Sequence, residues 1–177
     1  EKKPRKRLIE FIGDSITEGI LAYRAEAGKG WTDFADSRLA YGFRTAEALG
    51  AEPRIIGFGA QGATRGGNGG VPPVGLAYPF VYAGVAATDR PADLVVIAHG
   101  CNDSGVKTIE AGYRNLITLV RQRNPGAVIL CMVPFPQCHP KSIADAAAAW
   151  LRACCFKCTT NCCSKRLPRR LRTCAAW

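Results

Sequence analysis

The sequence is poor in long apolar runs, in histidine and in methionine. No stretch of about 18 consecutive apolar residues occurs in the chain, so we expect no membrane-spanning helix. The basic N-terminus lacks the apolar core of a secretory signal, so we expect either that a leader has been removed or that the chain is a fragment. Disorder of the whole chain is excluded, because 47% of the residues are hydrophobic and 21% are charged, close to globular averages.

Acidic residues are scarce at both ends of the chain, and this scarcity accounts for the net charge of +10. Residues 1–7 carry a net +4, residues 8–150 carry −1, and residues 151–177 carry +7. A nucleic-acid-binding fold usually carries its positive charge on the folded body, so we expect no nucleic-acid partner. We predict a basic linker over residues 1–7, one domain over residues 8–151, and a Cys- and Arg-rich tail after it.

Cysteine is distributed as unevenly as charge. Three of the nine cysteines lie in the body and six lie between residues 154 and 174, a pattern unlike a disulfide framework spread over a fold. Three interpretations of the tail over residues 152–177 stay open. It is a soft-metal site built from thiolates, a basic interaction segment, or a segment outside the original fold, such as translation past a frameshift.

Short apolar runs alternate with segments of helical periodicity along the body. Strands are predicted over residues 7–12, 54–58, 93–98 and 127–133, and helices over residues 38–49, 107–123 and 143–151. Continuous apolar strands that alternate with helices are typical of a parallel sheet covered on both faces. We therefore predict an α/β fold, a three-layer sandwich whose site lies at the carboxyl ends of the strands.

Residues that can take part in a reaction follow three of the predicted strands. Asp14 and Ser15 follow the first strand, Gly62 follows the second, and Asn102 with Asp103 follows the third. A serine at such a turn can act as a nucleophile, and an asparagine amide or a glycine N–H can stabilise an oxyanion. Plainer interpretations stay open, with Ser15 as a helix N-cap, Asn102 in an Asx turn and Gly62 in an ordinary flexible loop.

The three blocks together resemble those of the SGNH (GDSL-type) hydrolases. They read Gly13-Asp14-Ser15, then Gln61-Gly62-Ala63-Thr64, then Gly100-Cys101-Asn102-Asp103, in the order of that family. The resemblance implies a flavodoxin-like fold and acyl transfer through an acyl-serine on Ser15. It also implies an oxyanion hole formed by Ser15, Gly62 and Asn102, with Asp14 and Asp103 in support.

A closer resemblance connects the chain with the two-domain, acetyl-xylan-esterase-like branch of that family. It rests on residues 7–17, 32–34 and 41–49, and it extends over about residues 7–150. Members of the branch carry a β-sandwich before the hydrolase domain, which would make residues 1–7 the end of an interdomain linker. The resemblance implies a small acyl ester or acylated carbohydrate as substrate, no cofactor, no metal at the site and an extracellular location.

The chain departs from the SGNH pattern toward its C-terminus. The family places its catalytic histidine in an Asp-x-x-His block after a fifth strand, and neither His99 nor His139 has Asp three residues before it. We therefore expect the fold to lack its last strand, which leaves strand 127–133 as an open edge suited to self-association. His139 is the candidate general base, with an ordinary loop histidine as the alternative, whereas His99 suits packing beneath the site.

Two functions are consistent with these residues. The first is a serine esterase that removes acetyl or other short acyl groups, most naturally from carbohydrate. The second is a non-catalytic or vestigial binding protein on an SGNH-like fold, because a serine hydroxyl without a base is a weak nucleophile.

Overall fold

The protein is described by a computed structural model over residues 6–24, 29–103 and 109–157. Its strands are β1 (Leu8–Gly13), β2 (Glu52–Gly57), β3 (Phe80–Tyr82), β4 (Val85–Ala86), β5 (Leu94–Ala98) and β6 (Val128–Cys131). Its α-helices are α1 (Ser15–Glu18), α2 (Tyr41–Ala48), α3 (Val74–Ala77), α4 (Glu110–Arg123) and α5 (Pro140–Lys157). Two single turns of 3-10 helix lie at Trp31–Phe34 and Asn68–Gly70.

Four strands form one parallel sheet in the order β2-β1-β5-β6. The register places Ile12 of β1 opposite Ile56 of β2 and Ile97 of β5, and Ile97 opposite Cys131 of β6. The carboxyl ends of all four strands therefore share one edge. The loops that follow them hold every residue predicted from the strand-end blocks.

Both faces of the sheet are covered by helices. Side chains alternate along a strand, and β1 accordingly sends Ile12 into a core with α4 and α5, and Phe11 into a smaller core with α2. Leu116 and Ile143 are buried on the first face, and Ala46 is buried on the second. The predicted α/β three-layer sandwich is confirmed.

A fully buried carboxylate, Glu10, lies within this core and is completely paired. Its Oε2 accepts a hydrogen bond from Arg54 Nε at 2.5 Å, and its Oε1 accepts one from the Tyr78 hydroxyl at 2.7 Å. Asn124 Nδ2 donates to the same hydroxyl at 2.9 Å, while Asn124 Oδ1 accepts the Ala92 N–H at 2.6 Å. An unpaired buried charge would be costly, so this pairing stabilises the core. The network also connects the end of α4 to β1, to β2 and to the segment before β5.

Helix α5 is longer than its Ala-rich segment suggests. It begins at Pro140 and runs to Lys157, so the predicted domain boundary at residue 151 falls inside a continuous helix. Residues 158–177, with most of the tail cysteines, lie outside the described residues, as do residues 104–108 before α4. The three interpretations of the tail therefore remain predictions.

The β3–β4 hairpin is an element that the sequence did not reveal. Both strands are short and exposed, and they turn at Gly84, whose φ of +80° suits glycine. Without a buried face, such a segment lacks the alternating apolar pattern by which strands are recognised.

Strand β6 ends the sheet within the described part of the chain. Its Val128 and Leu130 are 60% and 51% exposed. They pair with Leu94 and Val96, on the face of the sheet that α2 covers, but neither belongs to the core that α2 forms. This open edge agrees with the expectation that the last strand is lacking among residues 6–157.

In the same part of the chain, no helix combines the length and the apolar character needed to cross a bilayer.

Candidate active site

The turn between β1 and α1 places Ser15 at the first helical position. Asp14 is the N-cap residue, since its Oδ1 accepts the N–H of Ile16 at 3.0 Å. The interpretation of Ser15 as the cap is therefore wrong, because the carboxylate one residue earlier satisfies the helix end. Ser15 is half-buried, and its hydroxyl has no hydrogen bond to any residue that the structure describes.

The short α1 is held in place by close packing at Gly13 and by Thr17. A Cβ on Gly13 would lie 2.0 Å from Thr17 Oγ1, so only glycine allows the helix to begin here. Thr17 is buried, and its Oγ1 shares a hydrogen bond of 3.0 Å with the Tyr41 hydroxyl of α2. The Tyr41 ring meets Phe135 of the β6–α5 loop edge-on at 5.3 Å, which links this loop to α1.

Asn102 joins the loops that follow β1, β2 and β5. Its Nδ2 donates to the Gln61 carbonyl at 2.9 Å and, more weakly, to Asp14 Oδ2 at 3.4 Å. The three sequence blocks therefore meet at one point, with Ser15 immediately after Asp14. An amide held in this way is positioned beside the Ser15 turn rather than closing a local Asx turn.

Asp103 fixes the loop that contains Gly62. Its fully buried carboxylate accepts the N–H of Ala63 at 2.9 Å, the N–H of Thr64 at 2.9 Å and the Thr64 hydroxyl at 2.7 Å. A Cβ on Gly62 would lie 2.6 Å from Asp103 Oδ1. The glycine is thus required by this carboxylate, which packs directly against its backbone, and the flexible-loop interpretation of Gly62 is wrong.

The Gly62 amide already has a partner in this conformation. It donates to the Arg65 carbonyl at 3.0 Å, which closes a tight turn. The Arg65 Nη1 donates in turn to the Asn102 carbonyl at 3.3 Å. For the Gly62 N–H to stabilise an oxyanion, the substrate oxygen must replace or share the bond to Arg65.

Burial raises the pKa of Asp14, and the neighbouring Asp103 carboxylate raises it further. The Ile16 N–H and the Cys101 thiol donate hydrogen bonds to Asp14 and lower the pKa in part. The site therefore holds two buried carboxyl groups within mutual electrostatic reach, and polar donors compensate for the cost of their burial.

His99 lies beneath the site and is fully buried. The Tyr113 hydroxyl donates to the His99 carbonyl at 2.5 Å and accepts the His99 N–H at 3.1 Å, which fixes the backbone. Neither ring nitrogen has a partner with good hydrogen-bond geometry in the described structure. Burial lowers the pKa of His99 to about 4, against the opposing effects of Asp103 and the Gln61 backbone, so the ring is neutral at pH 7.

The other histidine, His139, immediately precedes α5 in the β6–α5 loop. It is half-buried, it has a φ of +52°, and its carbonyl accepts the Ile143 N–H at 3.1 Å. No hydrogen bond joins its ring to Ser15 or to another residue in the described ranges. The structure therefore places His139 at the correct edge of the sheet but does not couple it to the serine.

Gln61, Arg65 and Tyr113 support the site and were not singled out in the sequence. Gln61 is fully buried, with Nε2 donating to the Pro72 carbonyl at 2.7 Å, so it holds the long loop after β2. Only the position of Gln61 beside Gly62 offered a signal. Arg65 and Tyr113 act through backbone carbonyls, which side-chain patterns do not reveal.

Cavities of about 390 and 420 Å³ lie along β2 and the β3–β4 hairpin, and both are lined by Phe58 and Phe80. Ser15, Gly62 and Asn102 line neither cavity. Hydrogen-bond geometry, rather than a deep pocket, thus marks the candidate site.

Over the residues that the structure describes, no group of three or more His, Cys, Asp or Glu side chains is arranged to hold a metal ion.

Residues 11–160 match the GDSL-like lipase/acylhydrolase family. The chain belongs to this family. The resemblance drawn from the three strand-end blocks is confirmed, and with it the assignment to a group of ester hydrolases. A serine nucleophile and an oxyanion hole are typical of GDSL-like acylhydrolases.

Named relatives of this GDSL-like chain include a cellulase/esterase, a family two carbohydrate esterase and an acetyl xylan esterase. Cellulase/esterase CelE of Acetivibrio thermocellus is 34% identical over 145 residues, which cover 74% of this chain and 17% of CelE. A family two carbohydrate esterase from Clostridium thermocellum, in complex with cellohexaose, is 28% identical with a TM-score of 0.67, covering 88% of this chain and 52% of that one. The acetyl xylan esterase Est2A from the rumen bacterium Butyrivibrio proteoclasticus shares the fold, with 20% identity, a TM-score of 0.71 and coverage of 87% and 54%.

The chain thus spans about half the length of these two solved structures and a small part of CelE. The family match over residues 11–160 includes all three strand-end blocks.

We expect Asp103→Ala to lower the free energy of unfolding by about 3 kcal/mol or more, because it leaves the N–H groups of Ala63 and Thr64 without an acceptor. Thr64→Val is the matched control, since it removes only the hydroxyl bond and should cost about 1 kcal/mol. Urea unfolding followed by circular dichroism measures both values. Equal losses for the two variants would show that Asp103 does not organise the loop.

We expect His99 to make the fold less stable in acid. Its pKa falls from 6.5 to about 4 on folding, so between these pH values the unfolded chain binds more protons than the native state. Stability should therefore decrease as the pH falls through this window, by about 3 kcal/mol in total.

Urea unfolding at pH 7 and pH 4 checks this expectation. His99→Leu should lose that share of the pH dependence, whereas His139→Leu, which removes the half-buried imidazole, should keep the dependence of the parent protein. The expectation fails if His99→Leu and the parent protein lose the same stability between the two pH values.

Proposed function

We propose that this GDSL-like acylhydrolase is a serine esterase that removes acetyl or other short acyl groups from carbohydrate through an acyl-serine intermediate. The main support is the hydrogen bond from Asn102 Nδ2 to the Gln61 carbonyl, with its weaker bond to Asp14. These two contacts bring the serine block, the glycine block and the asparagine block to one place. Family membership supports the reaction class, and the geometry supports the choice of residues.

Ser15 is the proposed nucleophile. It starts α1 directly after the capping Asp14, and its hydroxyl is not committed to a described partner. In the proposed reaction, Ser15 Oγ forms a bond to the acyl carbon, the sugar oxygen leaves with a proton, and water later releases the acid. Half-burial of Ser15 leaves it open to a substrate from the carboxyl edge of the sheet.

Asn102 Nδ2 and the Gly62 N–H are the proposed oxyanion donors, together with the Ser15 turn. The bond of 3.4 Å from Asn102 Nδ2 to Asp14 is long and therefore weak. The N–H of Asn102 that makes it is the one that a substrate oxygen can accept most easily. The Gly62 N–H bonds to Arg65 at 3.0 Å and must be shared or redirected. Donors aimed at the developing negative charge lower the barrier most when the protein holds them fixed, and Asp103 does this for the Gly62 loop.

His139 is the proposed general base. It follows β6, which is the neighbour of β5, and so lies at the same edge as Asn102. His99 does not suit the role, because it is fully buried and its pKa is lowered to about 4 by that burial. The β6–α5 loop must bring the His139 ring to Ser15 for catalysis.

An acylated carbohydrate is the proposed substrate, because the named relatives include carbohydrate esterases, one of them in complex with cellohexaose. A polysaccharide does not cross a membrane, so an extracellular location belongs to the same proposal. We also propose the open edge of β6 as a site of self-association, since Val128 and Leu130 are exposed on a strand that pairs with β5 on one side and has no strand on its other side among the described residues.

A second candidate function is carbohydrate binding without catalysis. One observation favours it, namely that neither histidine hydrogen-bonds to Ser15 in the described structure. Loss of a triad base can lower turnover by about a million-fold, so the same fold could bind an acylated sugar and leave it intact.

Labelling with a serine-directed fluorophosphonate distinguishes the two functions. We expect intact-mass spectrometry to show one added phosphonyl group, and peptide mapping to place it on Ser15, because only an activated hydroxyl reacts. Ser15→Ala should abolish the label, while Ser37→Ala, which also removes a serine hydroxyl, should retain it. An unlabelled chain that still binds acetylated xylo-oligosaccharides would support the second function, and a label on another serine would exclude Ser15.

We expect Asn102→Ala to lower kcat for hydrolysis of p-nitrophenyl acetate by about a hundred- to a thousand-fold, because one oxyanion donor contributes that much. Asn115→Ala is the matched control, since it removes the same amide from an exposed position on α4. An unchanged rate in the Asn102 variant, with the fold intact by circular dichroism, would remove this residue from the mechanism.

A further inference from the structure

Two cysteines at the carboxyl edge of the sheet have no role in the proposed esterase mechanism. Cys101 follows β5 and Cys138 lies in the β6–α5 loop. β5 and β6 are neighbours, and the Met132 N–H donates to the Ile97 carbonyl at 2.8 Å where the two strands end. The loops that carry the two thiols therefore leave the sheet side by side.

The β6–α5 loop folds back over the turn that contains Cys101. Gln137 and His139, the neighbours of Cys138 in the chain, both have positive φ angles, +60° and +52°, which are uncommon for residues other than glycine. The Pro134 ring lies 3.6 Å from the point that a Cβ on Gly100 would occupy. The loop therefore packs against the Gly100 turn at Pro134, and Cys138 follows four residues later.

Cys101 and Cys138 lie within mutual electrostatic reach, and Cys101 also lies close to the Asp14 carboxyl group. Burial, the Asp14 charge and the second thiol together raise the pKa of Cys101 to about 12. Both residues are half-buried and both are reduced in the structure. The third described cysteine, Cys131, instead packs against the hydrophobic core.

We propose that Cys101 and Cys138 form a redox-reactive pair, which a peroxide oxidises to an intramolecular disulfide that fastens the β6–α5 loop to the Asn102 turn. The loops that carry the two thiols leave the sheet side by side and pack together at Pro134 and Gly100, so oxidation requires no rearrangement of the sheet. The inference does not depend on esterase activity.

The chemistry of this step balances with hydrogen peroxide as the oxidant. The Cys138 sulfur attacks one peroxide oxygen, the O–O bond breaks, and the products are a sulfenic acid and water. The Cys101 sulfur then attacks the sulfenic sulfur, an S–S bond forms, the S–O bond breaks, and the hydroxyl group leaves as a second water. Cys138 reacts first because the raised pKa of Cys101 makes its thiolate scarce.

Peptide mapping of the full chain tests the proposal. The protein is reduced, freed of reductant, treated with one equivalent of hydrogen peroxide at pH 8, alkylated with N-ethylmaleimide and digested with trypsin. Cys101 falls on the peptide of residues 66–107, since the bond between Arg90 and Pro91 resists trypsin, and Cys138 falls on the peptide of residues 124–141. Cys131 shares that second peptide, so Cys131→Ser is the matched control.

We expect the two peptides to be joined in the parent protein and equally in Cys131→Ser, and the yield of the joined product to fall at least tenfold in Cys138→Ser. The parent and the Cys131 variant are sufficient for the test if Cys138→Ser fails to fold. Loss of the link in Cys131→Ser, a bridge from Cys101 to one of the tail cysteines, or independent alkylation of Cys101 and Cys138 after peroxide would each overturn the proposal.

Discussion

The candidate site depends on one buried carboxylate. Asp103 accepts three hydrogen bonds from Ala63 and Thr64, and its oxygens occupy the volume that a side chain on Gly62 would need. The loop after β2 is Gly-rich and would otherwise sample many conformations. A charge-assisted bond to a backbone N–H is about twice as strong as a neutral one, so this residue imposes one conformation on the loop. The adjacent Asn102 then finds the Gln61 carbonyl at 2.9 Å.

Burial shifts the pKa values of two ionisable groups near the site, Asp14 and His99. The pKa of Asp14 is raised and that of His99 is lowered, in both cases mainly by removal from water. The two shifts have the same physical origin, because a low-dielectric environment disfavours the ionised form of either group. His99 therefore packs beneath the site and is a poor proton acceptor, although it lies only three residues from Asn102 in the sequence.

The position of His139 depends on the contacts of the β6–α5 loop. A catalytic histidine is precise when a second hydrogen bond holds its ring, and the described structure gives the half-buried His139 ring no such bond. Its loop is fixed instead by Phe135 on Tyr41 and by Pro134 near Gly100. A bond between Cys101 and Cys138 would add a covalent restraint to the same loop.

The parallel sheet and its two covered faces followed from the sequence alone, because buried strands such as 93–98 are apolar throughout and α4 has a clear helical period. The strand-end blocks with Ser15, Gly62 and Asn102 were equally visible, since the topology of a parallel sheet brings such ends together. The hairpin at Phe80–Tyr82 and Val85–Ala86 was not visible in the sequence, because neither strand has a buried face that would produce an alternating apolar pattern.

Only the tertiary structure decided that Asp14 is the cap, that Gly62 is bonded to Arg65, and that the loops carrying Cys101 and Cys138 leave the sheet side by side. These contacts join residues whose positions depend on several loops at once. Side-chain identity and spacing along the chain fix the elements, whereas contacts between loops arise only when the sheet has set the distances between their ends.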